Sequence, residues 1–209
     1  MKKLLVIVLA VFFANAALFA EGWQVNAGIH LSKLTVSDED NDYREQESNT
    51  PISIAIAKEF KKTESGDWLL ELSLMTGEKY EEKYLGYSIS AAFEIKMKTA
   101  FFASLYYQFN TSIAALKPYA GLGLGAASLK VSDVASASGS PFVNGSASGT
   151  NFAYQLAIGA NYFFNENIAA GLGYGYRYYG SIEIDWDSND KQIIDVDSRG
   201  LFAKVTYRF

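Results

Sequence analysis

Apolar residues recur at alternate positions from Phe93 to Phe109, a run of roughly 17 residues. Phe93, Ile95, Met97, Phe101, Ala103, Leu105, Tyr107 and Phe109 occupy one phase, with Glu94, Lys96, Lys98, Ser104 and Gln108 in the other. A helix repeats every 3.6 residues and would scatter these side chains around its axis, so the segment reads as a strand with one greasy and one wet face. The same period returns in Trp23, Val25, Ala27, Ile29 and Leu31, in Ile52, Ile54, Ile56 and Phe60, and in Trp68, Leu70, Leu72 and Leu74. It returns again over 152–164, 168–178 and 201–209. No convincing amphipathic helix follows Trp23, and the chain reads as all-β.

Such alternation also describes a soluble sandwich, whose apolar face is a core. Three features favour a membrane barrel instead. The strands run roughly 10 to 17 residues, against about 5 or 6 in soluble sheets. Aromatics crown the apolar face at strand ends (Trp23, Trp68, Phe60, Phe109, Tyr162, Phe164, Tyr207, Phe209), as interfacial girdles do. The opposite face is rich in Gly, Ala and Ser with charges of both signs, which suits the packed interior of a small barrel.

The N-terminus agrees with export. Met1-Lys2-Lys3 is positive, Leu4 to Ala14 is apolar throughout, and small residues lead to Ala20-Glu21. About 11 apolar residues are too few for a spanning helix, so residues 1–20 read as a signal peptide and 21–209 as one barrel domain. Cleavage after Ala20 is preferred to cleavage after Ala16. A formal net charge of -5 and the lack of a basic stripe exclude nucleic acid as a partner, and the absence of Cys excludes disulfides, thiolate metal sites and thiol nucleophiles.

Eight segments are expected, near 22–35, 50–61, 67–79, 91–109, 117–132, 150–164, 167–184 and 198–209. An even count with short turns at 61–66, 110–116 and 165–166 makes an eight-stranded antiparallel up-and-down transmembrane β-barrel. Both ends of the chain then lie in the periplasm, and 36–49, 79–90, 133–149 and 185–197 form four extracellular loops. The segment 84–90 is expected in a loop or an upward extension of the sheet. The first loop is acidic (Asp38, Glu39, Asp40, Asp42, Glu45, Glu47) but lacks the Gly-centred spacing of a calcium loop.

Lys117-Pro118-Tyr119-Ala120-Gly121-Leu122-Gly123-Leu124-Gly125, the run Phe152 to Phe164, Gly175-Tyr176-Arg177-Tyr178 and the terminal Val205-Thr206-Tyr207-Arg208-Phe209 resemble the opacity-type outer-membrane β-barrel domain family. The second half of the chain carries most of this resemblance. It implies an eight-stranded barrel of the outer membrane without an enzymatic site, in contact with outer-membrane lipid and lipopolysaccharide. It also implies insertion by the barrel-assembly machinery, which reads a C-terminal aromatic signal such as Tyr207-x-Phe209. No appended periplasmic domain is expected after Phe209, and a monomer is expected.

Candidate site residues follow from the wet phase. Glu59, Glu71, Glu94, Lys96, Lys98, Arg177, Lys204 and Arg208 are expected in the lumen, where unpaired charge is costly and a salt-bridged plug results. The single histidine, His30, points into the same lumen, and no Ser-His-acid spacing recommends it as a catalyst. Glycines at 121, 123 and 125 and at 171, 173 and 175 lack nucleotide-loop spacing and read as strand glycines relieving lumen crowding. The expected role is structural or surface-interactive, with no cofactor, metal or catalytic residue. A small pore and a surface adhesin are the alternatives, and a lipid A-modifying enzyme is the least favoured.

Overall fold

The computed structural model describes residues 22–38, 44–85, 89–137, 140–187 and 190–209. They form strands β1 (Trp23–Asp38), β2 (Arg44–Asn49), β3 (Ile52–Lys62), β4 (Gly66–Thr76), β5 (Glu78–Leu85), β6 (Ile89–Phe109), β7 (Leu116–Ala137), β8 (Ser140–Phe163), β9 (Ile168–Asp187) and β10 (Asp190–Arg208). Every pairing is antiparallel, and β10 closes on β1 from Gln24↔Arg208 to Asp38↔Ile194. The strands β2 and β3 form one stave, interrupted at Pro51, which has no N–H to donate and whose carbonyl accepts from His30 N at 2.9 Å. Likewise β4 and β5 are one stave broken at Gly77, where φ is +99°. The ring therefore has eight strands, as the alternation requires. The expected signal peptide, 1–20, lies outside the described residues.

Both ends of the described chain and the short turns share one end of the barrel, here the turn end. Thr63 Oγ1 donates to Gly66 O at 2.6 Å in the first turn, and Asn165 Oδ1 accepts from the backbone N–H of Asn167 and Ile168 in the last. At the opposite, far end the strands outrun the sequence reading. The segments expected as loops carry ladder instead: β2 pairs β1 over Ser32–Ser37, and β7 pairs β8 up to Ala137↔Ser140. The Ser/Ala/Gly composition of 133–149 hid this, because backbone pairing needs no apolar face once it is clear of lipid. The segment 84–90 is an upward extension, with β5 pairing β6 to Leu85↔Ser90. The acidic tip at 39–43 lies outside the described residues.

At the far end β2 and β5 are not paired by a ladder but are stitched by side chains. Asn49 Nδ2 donates to Lys79 O at 2.8 Å while Asn49 Oδ1 accepts from Lys79 N at 2.9 Å, and Glu47 Oε2 accepts from Glu81 N at 2.7 Å. An amide standing in for a peptide group and a carboxylate on a free N–H blunt two strand edges.

The outer wall is apolar over a defined band. Leu31, Leu122, Leu124, Phe152, Ile158, Leu172 and Leu201 are all more than half exposed. A patch this continuous is untenable in water and fits hydrocarbon. Along β8 the outward residues run from Tyr162 to Phe152, about 26 Å of height at about 3.4 Å per residue and about 40° of tilt, close to the apolar band of such barrels. At the turn end, ring pairs Trp68/Tyr107, Tyr107/Phe109, Tyr162/Phe164 and Tyr207/Phe209, with centroids 4.8 to 5.4 Å apart, form the expected girdle.

Inside, the wall has two zones. The half nearer the turn end is polar. The far half holds a dry cluster in which Leu34, Ile95, Ala127, Leu129, Tyr179 and Val196 are fully buried. Bulges create the second zone. Register slips between Met97 and Thr99, so that Lys98 is extra and the phase inverts there: Phe101 faces outward, yet Ile95 and Met97 turn inward. Gly77 and Gly180, both with positive φ, invert the phase of their own staves and send Glu78, Tyr80 and Ile182 inward.

Candidate functional site

The concentration of buried polar chemistry lies midway down the lumen. His30 projects from β1, with Nε2 2.8 Å from Ser53 Oγ on β3 and Nδ1 2.8 Å from Arg177 Nη2 on β9. Phe202 of β10 backs the imidazole at 5.3 Å. A guanidinium only donates, so Nδ1 accepts, the ring proton sits on Nε2, and Nε2 donates to Ser53. Below them Asn26 links Glu71 to β10: its Nδ2 donates to Glu71 Oε2 at 2.8 Å and its Oδ1 accepts from Thr206 at 2.6 Å. Lys204 lays its ammonium 4.3 Å from the Tyr119 ring centroid and 5.8 Å from that of Tyr106.

The eight charges read from the sequence separate into two groups. Glu59, Glu71, Arg177, Lys204 and Arg208 point inward. Glu94, Lys96 and Lys98 do not, and this corrects the sequence reading. The bulge at Lys98 turns Glu94 and Lys96 to the outer face, where they pair with each other at 2.7 Å, and leaves Lys98 exposed. The inward charges also sit at different heights rather than in one network. Glu59 holds Lys62 at 3.0 Å and Arg208 at 3.6 Å at the turn end, whereas Glu71, Lys204 and Arg177 are held mid-lumen by amides, rings and His30.

Sequence reasoning missed three members. Asp67 pairs with Lys117 at 2.6 Å across the turn-end mouth, although its place two residues before Leu69 and four before Glu71 put it in the lumen phase. Glu78 is buried at 1% exposure, with Oε1 accepting from Ser32 at 2.7 Å and Ser198 at 2.8 Å. Its inward aim depends on the phase change at Gly77, which alternation alone does not reveal. Ser53 carried no signal beside its distant partner His30.

A cavity of about 50 Å³ lies among Asn26, His30, Glu71, Gln155, Arg177 and Lys204, with room for a few water molecules. Toward the far end the dry cluster adjoins it, and toward the turn end the rings of Tyr106 and Tyr119 pack edge to face at 5.8 Å. At the mouth a wider vestibule of about 620 Å³ is lined by Glu59, Lys62, Lys117, Phe163 and Arg208. Among the described residues no cluster of three or more His, Asp or Glu is arranged to hold a metal.

Residues 4–209 match the family model described as outer membrane protein beta-barrel domain. The chain belongs to that family. Its place is the outer membrane, and the outward apolar band is its lipid-facing surface. No curated protein matches it in sequence. Among solved structures, this outer-membrane barrel is similar to a major outer membrane protein of Thermus thermophilus (TM-score 0.56, 12% identity, covering 91% of this chain and 100% of that one). It is also similar to Neisserial surface protein A (TM-score 0.51, 18% identity, 90% and 98%) and to OprG of Pseudomonas aeruginosa (TM-score 0.50, 15% identity, 90% and 96%). At these identities the likeness is one of fold.

Proposed function

We propose that this protein is a sealed, non-enzymatic barrel of the opacity type, a scaffold that carries strand extensions out of the outer membrane for structural or surface-interaction work. The observation that carries the reading is the dry cluster of Leu34, Ile95, Leu129 and Val196, each at 0% exposure, across the far half of the lumen. An apolar constriction opposes ion passage by excluding water, so a small pore is disfavoured. The polar mid-lumen does not reach both mouths through such packing.

Enzymatic chemistry is disfavoured by the same lumen. A serine hydrolase needs an unprotonated imidazole nitrogen toward its nucleophile and a carboxylate behind the ring, and here Arg177 takes the carboxylate's place. We further assign the turn end to the periplasm and the far end to the cell exterior, with lipopolysaccharide around the band and Tyr207-x-Phe209 as the signal for barrel assembly. The strand extensions support an adhesin as the second reading, since paired strands present a firmer surface than loops.

Planar-bilayer recording of the refolded protein tests the sealed scaffold. A folded barrel, shown by its gel shift on boiling, is expected to stay silent. Steady unit conductance would overturn the reading and make the 50 Å³ cavity part of a channel.

A further inference from the structure

On the outer wall, the strand pair that closes the barrel places two cations side by side. Lys33 of β1 is the register partner of Arg199 of β10. Cross-strand partners stand about 5 Å apart at Cβ, and like charges so placed repel. Neither side chain has an ion pair or a hydrogen bond among the described residues. Directly beneath them on the same face lie Leu31 and Leu201, exposed by 64% and 61%, which mark the last lipid-facing rung of this wall. Arg199 is flanked on its other side by Tyr176, its register partner on β9. One step farther out, Asp197 follows on β10, opposite Thr35 and Tyr178.

We infer that Lys33 and Arg199 form a phosphate site for the headgroup of a phosphorylated lipid in the adjoining leaflet, and that the bound headgroup staples the first strand to the last. The height is right, because the cations stand immediately beyond the hydrocarbon rung, where lipid phosphates lie. The chemistry is right, because a phosphate oxyanion between two unpartnered cations converts repulsion into charge-assisted hydrogen bonds, and the guanidinium offers a fork that fits it. Tyr176, beside Arg199 in the register, is an amphipathic ring of the kind found at such an interface. The apolar rows below select a lipid over a free anion. This inference rests on the outer-membrane assignment, and on the proposed orientation only for which leaflet supplies the lipid.

The test is native mass spectrometry of the refolded full chain in nonionic detergent, titrated with bisphosphorylated lipid A, with the same glycolipid stripped of phosphate, and with inorganic phosphate. The phosphorylated lipid is expected to be retained in preference to both. Lys33→Ala with Arg199→Ala should weaken retention by about fivefold per cation removed. Lys98→Ala, an exposed cation just past the lipid-facing Phe101 on another stave, should change it by less than about twofold. The heat-modification midpoint should rise with the phosphorylated lipid in the unaltered chain and not in the double variant. Equal retention of the stripped lipid, equal binding of inorganic phosphate, or equal loss in the Lys98 variant would each overturn the site. If the double variant fails to fold, Arg199→Gln and the comparison of lipids on the unaltered chain decide it. None of these readings depends on which end faces outward, so a reversed barrel would be recognised separately by labelling from outside the cell.

Discussion

Arg177 Nη2 stands 2.8 Å from His30 Nδ1, and this contact between β9 and β1 sets the protonation of the only histidine in the chain. With the ring proton on Nε2, the 2.8 Å contact to Ser53 Oγ is one in which the imidazole donates. Ser53 is thus hydrogen-bonded but not activated. It also lines the small lumen cavity rather than the lipid-facing wall. A fluorophosphonate probe is expected to leave Ser53 unlabelled, and the lipid A of cells producing the protein should match that of cells producing a Ser53→Ala variant by mass. Labelling lost specifically in the Ser53→Ala variant would reverse the assignment.

The dry cluster bears on stability as well as conductance. Leu129 and Ile95 are both at 0% exposure, on paired strands β7 and β6 within two register steps of each other. Truncating either to Ala removes buried methylenes and leaves a cavity that the surrounding strands cannot fully close, costing about 2–5 kcal/mol. Urea titration of the refolded barrel should show the loss as a lower midpoint with an unchanged slope. A loss below about 0.5 kcal/mol would mean that the far half of the lumen is loosely packed.

At the turn end, Lys117 Nζ meets Asp67 Oδ2 at 2.6 Å with the carboxylate only 8% exposed. Lys117→Met strands that carboxylate beside Gln108, its register partner on β6. Since the lysine is itself 19% exposed and the mouth is open to the vestibule, solvent screening lowers the cost below that of a deep pair, to about 1–3 kcal/mol. Asp67→Asn with Lys117→Met should recover part of that loss, because no charge is then left buried. A double variant no better than Lys117→Met would show that Asp67 gains nothing from the pair.

The eight-strand ring was legible because a buried-versus-lipid choice acts at every second residue between Trp23 and Phe209, and each one-residue slip would invert a whole stave. What alternation could not supply was its interruptions. Phe93, Ile95 and Met97 share sequence parity with Phe101, so they read as lipid-facing, and only the extra residue at Lys98 turns them inward. Glu78 was hidden in the same way by Gly77, and Asp67 by its place beside a turn. The far-end strands escaped notice because Ser, Ala and Gly pair their backbones as readily as larger residues while carrying no face signal. Contacts such as His30 to Arg177 join residues far apart in sequence, and periodicity within one strand carries no information about them.

The bulge at Lys98 makes the sharpest mechanical test. Deleting Lys98 removes the residue by which β6 exceeds β7 between Met97↔Leu129 and Thr99↔Ser128. The ladder is then regular and the far part keeps its faces, whereas deleting Thr99 as well leaves β6 one residue short and inverts it: Ile95 and Met97 leave the dry cluster, and Glu94 and Lys96 enter it. Burying those two charges among Leu129 and Val131 costs several kcal/mol even if they remain paired, which is comparable to the whole stability of a domain this size. Deleting both residues is expected to abolish the gel shift on boiling, whereas deleting Lys98 alone, which removes only the bulge and an exposed ammonium, should fold as the unaltered chain does. A double-deletion variant that still folds with Ile95 buried, as read by protection of an Ile95→Cys thiol from labelling, would show that the residue count at the bulge is not what sets the phase.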